Sequence, residues 1–111
     1  MKYVIARRTP RYYFVVDVEV TEIQSGAQIR TRTKMLSQFG CSVDTSSPFP
    51  IGTKVKIKLF HRGAEVNVLA MVVYARPDLG MGIAFTDVER ESERALEQWV
   101  AELMSMHLPQ K

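Results

Sequence analysis

The sequence predicts an all-β barrel with one helix: six antiparallel strands closed by a C-terminal amphipathic α-helix. Two observations carry this. Six strand-like runs succeed one another from Phe14 to Phe85, joined by connections of hairpin length and without a helical segment between them. Only after Thr86 does the apolar period change from two to that of a helix. The 111 residues are of single-domain size, divided into a basic arm over 1–12, a barrel over 13–86 and a helical segment over 87–107.

Taken in order, Phe14, Val16, Val18 and Val20 alternate with Asp17, Glu19 and Thr21, the pattern of a half-buried strand rich in β-branched residues. Ser25-Gly26 turns the chain. Ala27, Ile29, Thr31, Thr33 and Met35 then alternate with Gln28, Arg30, Arg32 and Lys34, which predicts a hairpin whose basic stripe complements Asp17 and Glu19 on its exposed face. In the short stretch from Ser37 to Asp44, Gly40 is expected to permit a bulge or a positive φ. Ser46 to Gly52 reads as a loop, with Phe49 and Ile51 expected to plug the edge of the core. Val55, Ile57 and Leu59 face inward against Lys54, Lys56 and Lys58, which discourage edge-to-edge association. His61-Arg62-Gly63 makes the next turn, the run Glu65 to Arg76 is apolar on both faces, and Pro77 to Gly80 returns it into Met81 to Phe85. Thr86 with Glu89 fits a capping box. Leu96, Trp99, Val100, Leu103 and His107 fall on one helical face, predicting a helix from about Glu89 to Met106 anchored by Trp99.

Composition excludes several classes of protein. A hydrophobic fraction of 46% and a charged fraction of 24% are those of an ordinary soluble globular chain. The net charge of +3 is unevenly spread: Lys2, Arg7, Arg8 and Arg11 precede the first acid, Asp17, whereas Asp87, Glu89, Glu91, Glu93, Glu97 and Glu102 make the C-terminal part acidic. That asymmetry argues against a uniformly basic protein that coats nucleic acid. A lone Cys41 permits no internal disulfide and no CxxC motif, which suits a reducing, cytoplasmic setting. The most apolar run, Val66 to Ala75, is too short to span a bilayer. His61, His107 and Cys41 are too scattered for a metal site, and Ser37, Cys41 and Asp44 have no triad spacing, so an enzyme is not expected.

The chemistry-bearing stretch is Ala6-Arg7-Arg8-Thr9-Pro10-Arg11-Tyr12. Arginine offers a planar fork that grips phosphate or the O6/N7 edge of guanine and stacks on flat rings, abilities suited to a nucleotide. Pro10 biases Thr9 away from helix and places the arginines on an extended arm. By composition alone, the same cluster also reads as solvated charge near a terminus.

With these residues in place, the chain resembles the PilZ domain family, whose pattern is an RxxxR arm, a strand hairpin, a [DN]xSxxG motif, further barrel strands and a C-terminal helix. Arg7-Arg8-Thr9-Pro10-Arg11 matches RxxxR, and Ser37-Gln38-Phe39-Gly40 matches SxxG at the corresponding place. Val73-Tyr74 and Gly80 to Phe85 look like the late strands. The resemblance implies a bacterial module that binds cyclic di-GMP and uses no other cofactor or metal. Arg7 and Arg11 would clamp a guanine edge or a phosphate, and Arg8 would add a phosphate contact. Ser37 and the turn amides would donate to the remaining polar edge, while Gly40 would let the backbone pass closely.

Position 35 departs from the pattern, holding Met where the family has Asp or Asn. A carboxylate or amide oxygen there would accept from guanine N1–H and the N2 amine, which a thioether does poorly, at a cost of about 1–3 kcal/mol. Met35 is also in phase with Ile29 and Thr33, which reads as core filling. Three functions follow. The first is a cyclic di-GMP receptor that signals through a conformational change to an effector protein. The second is a PilZ-like interaction scaffold that does not bind the nucleotide. The third is a single-stranded nucleic-acid binder using Tyr12, Tyr13 and Phe14; Phe14 is core-facing, which argues against it, and no DNA partner is expected.

Overall fold

The structure is a computed structural model and describes residues 10–106. Its strands are β1 (Tyr12–Tyr13), β2 (Asp17–Glu22), β3 (Gln28–Ser37), β4 (Gly40–Val43), β5 (Lys54–His61), β6 (Ala64–Arg76) and β7 (Gly80–Val88), followed by the helix α1 (Arg90–Met106). Antiparallel pairing runs β3-β2-β5-β6-β7-β4, and β4 returns to β3, so six strands close a ring. The two-residue β1 is no extra stave. It pairs with the end of β3, while β2 takes the earlier part, so β1 and β2 are one interrupted strand. The alternating Val18, Val20, Val55, Ile57, Leu59, Val66, Val68 and Val72 fill the interior, away from water.

The charged hairpin forms in the register that its sequence pattern requires. Asp17 pairs opposite Arg32 and Glu19 opposite Arg30, with N–O distances of 3.5 and 3.6 Å. Such exposed pairs contribute little energy but disfavour a register slip. Lys34 departs from the stripe: its ammonium lies 3.0 Å from Asp44 and donates to the Leu79 carbonyl at 2.9 Å.

The cause of that departure is an irregularity in β3. Thr33 pairs with Val43 and Met35 with Ser42, one step on β4 against two on β3, so β3 carries an extra residue at Lys34. The extra residue resets the inside–outside phase. Thr33 and Leu36, three apart, both point inward at 1% exposure, whereas Met35 turns outward, opposite the 70% exposed Tyr13. The core-filling role expected of Met35 is therefore corrected. Where β1 and β2 are interrupted, the buried Thr33 hydroxyl substitutes for ladder bonds, accepting from Val16 N–H and donating to the Phe14 carbonyl. No buried side-chain polar atom among the described residues lacks a partner.

Several boundaries also shift. Ile51 is 66% exposed at the loop surface, and only Phe49 packs on the core, because Ile51 occupies the turn that follows Pro50. Thr86 does not cap the helix. The β6–β7 ladder continues through Val68 opposite Val88, and Glu89 N–H donates to the Asn67 carbonyl, holding Thr86 extended inside β7. The helix thus starts at Arg90, one residue past the expected Glu89, with the Glu89 carbonyl accepting from the Ser92 and Glu93 amides. Buried Ser92 turns its hydroxyl to accept from Asn67 N–H at 2.7 Å, stitching the first helical turn to β6. Leu96, Trp99 and Leu103 join the barrel core, and Val100 packs against it; His107 lies outside the described residues. The Trp99 ring sits 5.3 Å from His61 and 6.0 Å from Phe14, in an aromatic cluster that anchors the helix.

Replacing Thr33 with Val keeps the volume but leaves Val16 N–H and the Phe14 carbonyl without their partner. Thr33→Val is expected to cost about 1–3 kcal/mol, read as a lower urea midpoint with an unchanged slope. An unchanged midpoint would show that the interruption is held by other contacts.

Candidate ligand-binding cleft

The phase reset at Lys34 builds a cleft. On the wall formed by β3, β4, β7 and β6, Leu36, Cys41, Val43, Met81, Ile83 and Phe85 point into the core, which turns Met35, Ser37, Ser42, Gly82 and Ala84 to the outer face. There they line a cleft of about 490 Å³ with Arg11, Phe39, Gly40, Val73 and Tyr74. Of the residues named from the sequence, Arg11, Met35, Ser37 and Gly40 meet here. Arg7 and Arg8 lie outside the described residues.

The roles of Ser37 and Gly40 are more local than the sequence suggests. Ser37 and Gly40 pair across the two-residue turn Gln38-Phe39. The Ser37 hydroxyl accepts from Phe39 N–H at 3.2 Å and donates to the Gly40 carbonyl at 3.3 Å, so it braces its own hairpin. Gly40 has no positive φ, contrary to one expectation. Its glycine is required because a Cβ would collide with the Ile83 carbonyl oxygen of β7. The Phe39 carbonyl accepts from Phe85 N–H at 2.8 Å, fixing the other side of the turn to the same strand.

Tyr74, Phe39, Ser42 and Arg76 were not singled out from the sequence. Tyr74 stands opposite Gly82, and its ring fills the space that a Cβ at Gly82 would need. Tyr74 is 43% exposed and forms part of the cleft wall. A long aromatic facing a glycine across a late hairpin was the signal available. A neighbouring hollow of about 510 Å³ shares Arg11, Ser42 and Tyr74 and adds Lys34 and Arg76. On the other side of the turn, a hollow of about 220 Å³ combines Gln38 and Phe39 with Asp87, Glu93 and Glu97. Among the described residues that line these hollows, the cationic side chains lie on the Arg11 side and the acids on the helix side.

Cys41 borders the cleft through its backbone strand, but its side chain is in the core. Burial pushes the thiol up to about 12, away from the reactive thiolate. No group of three or more His, Cys, Asp or Glu among the described residues is placed to hold a metal ion, and no described helix is long and apolar enough to cross a membrane.

A closed six-stranded antiparallel barrel, with one helix packed on it and an open cleft at its β3–β4 turn, defines the chain as a small-barrel domain. The PilZ domain family model matches residues 6–102, and the chain belongs to that family. The chain is similar in fold to MotI/DgrA, the inhibitor of motility of Bacillus subtilis, with a TM-score of 0.72 at 18% identity over 93% of this chain and 53% of that one. It thus spans about half of the Bacillus protein. The PilZ domain of YcgR from Escherichia coli, solved with c-di-GMP, gives a TM-score of 0.70 at 16% identity, covering 90% of this chain and 92% of that one. The PilZ domain of CeSA from a cellulose-synthesizing bacterium gives 0.68 at 22%, covering 86% and 98% respectively. At these identities, the likeness is one of fold. Comparison with curated proteins gave no match.

The buried thiol leads to a measurable expectation. In the native protein at pH 8, Cys41 is expected to resist iodoacetamide for hours, with stoichiometric labelling only after denaturation. Rapid native labelling would show that β4 opens readily.

Proposed function

We propose that the chain is a receptor for cyclic di-GMP and acts by binding rather than by catalysis. The observation that carries this reading is the convergence of Arg11, the Ser37–Gly40 turn and Tyr74, from three separate parts of the sequence, on one outer cleft of a PilZ domain. Arg11 grips a phosphate or a guanine edge through its fork, and Arg7 and Arg8 add to it from the arm. Tyr74 and Phe39 supply flat, apolar surface to the bases. The Ser37–Gly40 turn offers backbone polar groups at the cleft edge, with its hydroxyl committed to the hairpin.

In this proposal, the arm folds over the bound ligand and presents a changed surface to an effector protein in the cytoplasm. The adjoining turn borders both the cleft and the hollow beside α1, through Phe39, so a ligand pressing on Phe39 would be felt at the helix. A scaffold that does not bind nucleotide is favoured by one observation, the outward Met35, which leaves the cleft without the acceptor that guanine wants.

Titration calorimetry with cyclic di-GMP, and with GTP as control, is the test. Saturable binding of the cyclic dinucleotide, weakened about ten- to a hundredfold in Arg11→Ala or Arg7→Ala, is expected from losing a charged hydrogen bond. No saturable heat at millimolar ligand would sink the receptor reading in favour of the scaffold.

A further inference from the structure

We propose that two copies of the chain associate face to face through the outer side of β6, about a two-fold axis parallel to that strand. The inference goes beyond the receptor reading and does not depend on it. On β6, Val66, Val68, Ala70 and Val72 point into the core, which turns Leu69, Met71 and Val73 outward in one row. Leu69 is 39% and Val73 44% exposed, and Met71 is half-buried. A solvated sheet face ordinarily carries polar side chains, so three successive outward positions that are all apolar mark a surface that meets another.

The flanks of the row say what covers it. Leu69 has Lys56 of β5 directly opposite on one side and Asp87 of β7 on the other, and Met71 is flanked in the same way by Lys54 and Ala84. Directly opposed residues share a face, so a cation, an apolar centre and an acid form one band across three strands. Lys54, Lys56 and Asp87 are exposed, and none of them takes part in the ion pairs formed among the described residues. Guarding a sheet edge does not account for the lysines, because β5 lies between β2 and β6 in a closed ring and has no free edge.

A surface that is positive on one flank and negative on the other is complementary to itself when turned about the row between them. A two-fold axis along β6 sets Leu69, Met71 and Val73 each against its counterpart and lays β5 of one copy over β7 of the other. Lys56 then faces the partner's Asp87, and Asp87 faces the partner's Lys56. An anionic bilayer would suit the lysines but would repel Asp87. A second copy satisfies both flanks at once. The apolar row supplies the attraction, and the charged flanks fix the orientation.

The test is sedimentation velocity of the full chain without nucleotide, over a series of protein concentrations at low salt. Expected is a reversible monomer–dimer equilibrium with a dissociation constant of about 10–100 μM, as suits a small interface. Leu69→Asp, on the axis, should leave only monomer. Lys56→Glu and Asp87→Lys should each weaken the dimer about tenfold, and the double variant, which exchanges the two charges, should restore it to within about threefold of the parent. Each change falls on an exposed side chain, and a thermal melt of each variant establishes that it is folded. A parent that stays monomeric at millimolar concentration overturns the inference. So does a dimer that survives Leu69→Asp, ignores the single charge reversals or is not restored by the double one. Binding of cyclic di-GMP is read separately by calorimetry, so none of these outcomes decides the receptor reading.

Discussion

The extra residue that β3 carries at Lys34 is the constraint on which the cleft depends. A strand with period two can serve only one face with a given set of positions, and β3 has two tasks. Its first half must put Ile29 and Thr33 toward the core, and its second half must put Leu36 there. Those positions are out of step, and the irregularity between Thr33 and Met35 reconciles them. Beside it, the Thr33 hydroxyl repairs the interrupted neighbouring strand, so a departure from regular pairing leaves no buried polar debt. As a result Met35 and Ser37 stand on the outer wall with Ser42, Gly82 and Ala84, and Arg11 and Tyr74 border the same space.

At the opposite end of the core, the helix is held by a different means. Apolar packing of Leu96, Trp99 and Leu103 supplies most of the attachment, and polar stitching sets its start. Asn67 of β6 gives its carbonyl to Glu89 and its amide to Ser92, so the sheet ladder passes directly into the first turn. The acids Glu93 and Glu97 therefore occupy a defined place next to the Gln38-Phe39 turn rather than an arbitrary place on a solvated face.

Much of this was legible in the sequence, where a single element decided the outcome. Valines alternating with acids in β2, and lysines alternating with aliphatics in β5, each identify a one-sided strand without reference to neighbours. The i, i+3 and i+7 spacing of Leu96, Trp99 and Leu103 does the same for the helix. What was not legible depends on several strands at once. The facing of Met35 is set where β1, β3 and β4 meet, and unbroken alternation carried it to the wrong side. Thr86 and Glu89 have the spacing of a cap, but the length of the β6–β7 ladder keeps Thr86 in a strand. Ile51 looked like a plug because its hydrophobicity was visible and its place in a turn was not. Tyr74 gained its place from Gly82, which has no side chain to announce a contact.

The fit of Gly40 against the Ile83 carbonyl has a further meaning. A residue with any side chain at this point would push β4 away from β7 and open the ring, and Ser37 spends its hydroxyl on the same turn. Both signature residues of the SxxG pattern are therefore demanded by architecture before any ligand arrives. A chain can lose its nucleotide entirely and still need them, so the pattern is a marker of how this barrel is joined, and chemical competence has to be judged from the side chains that point outward beside it.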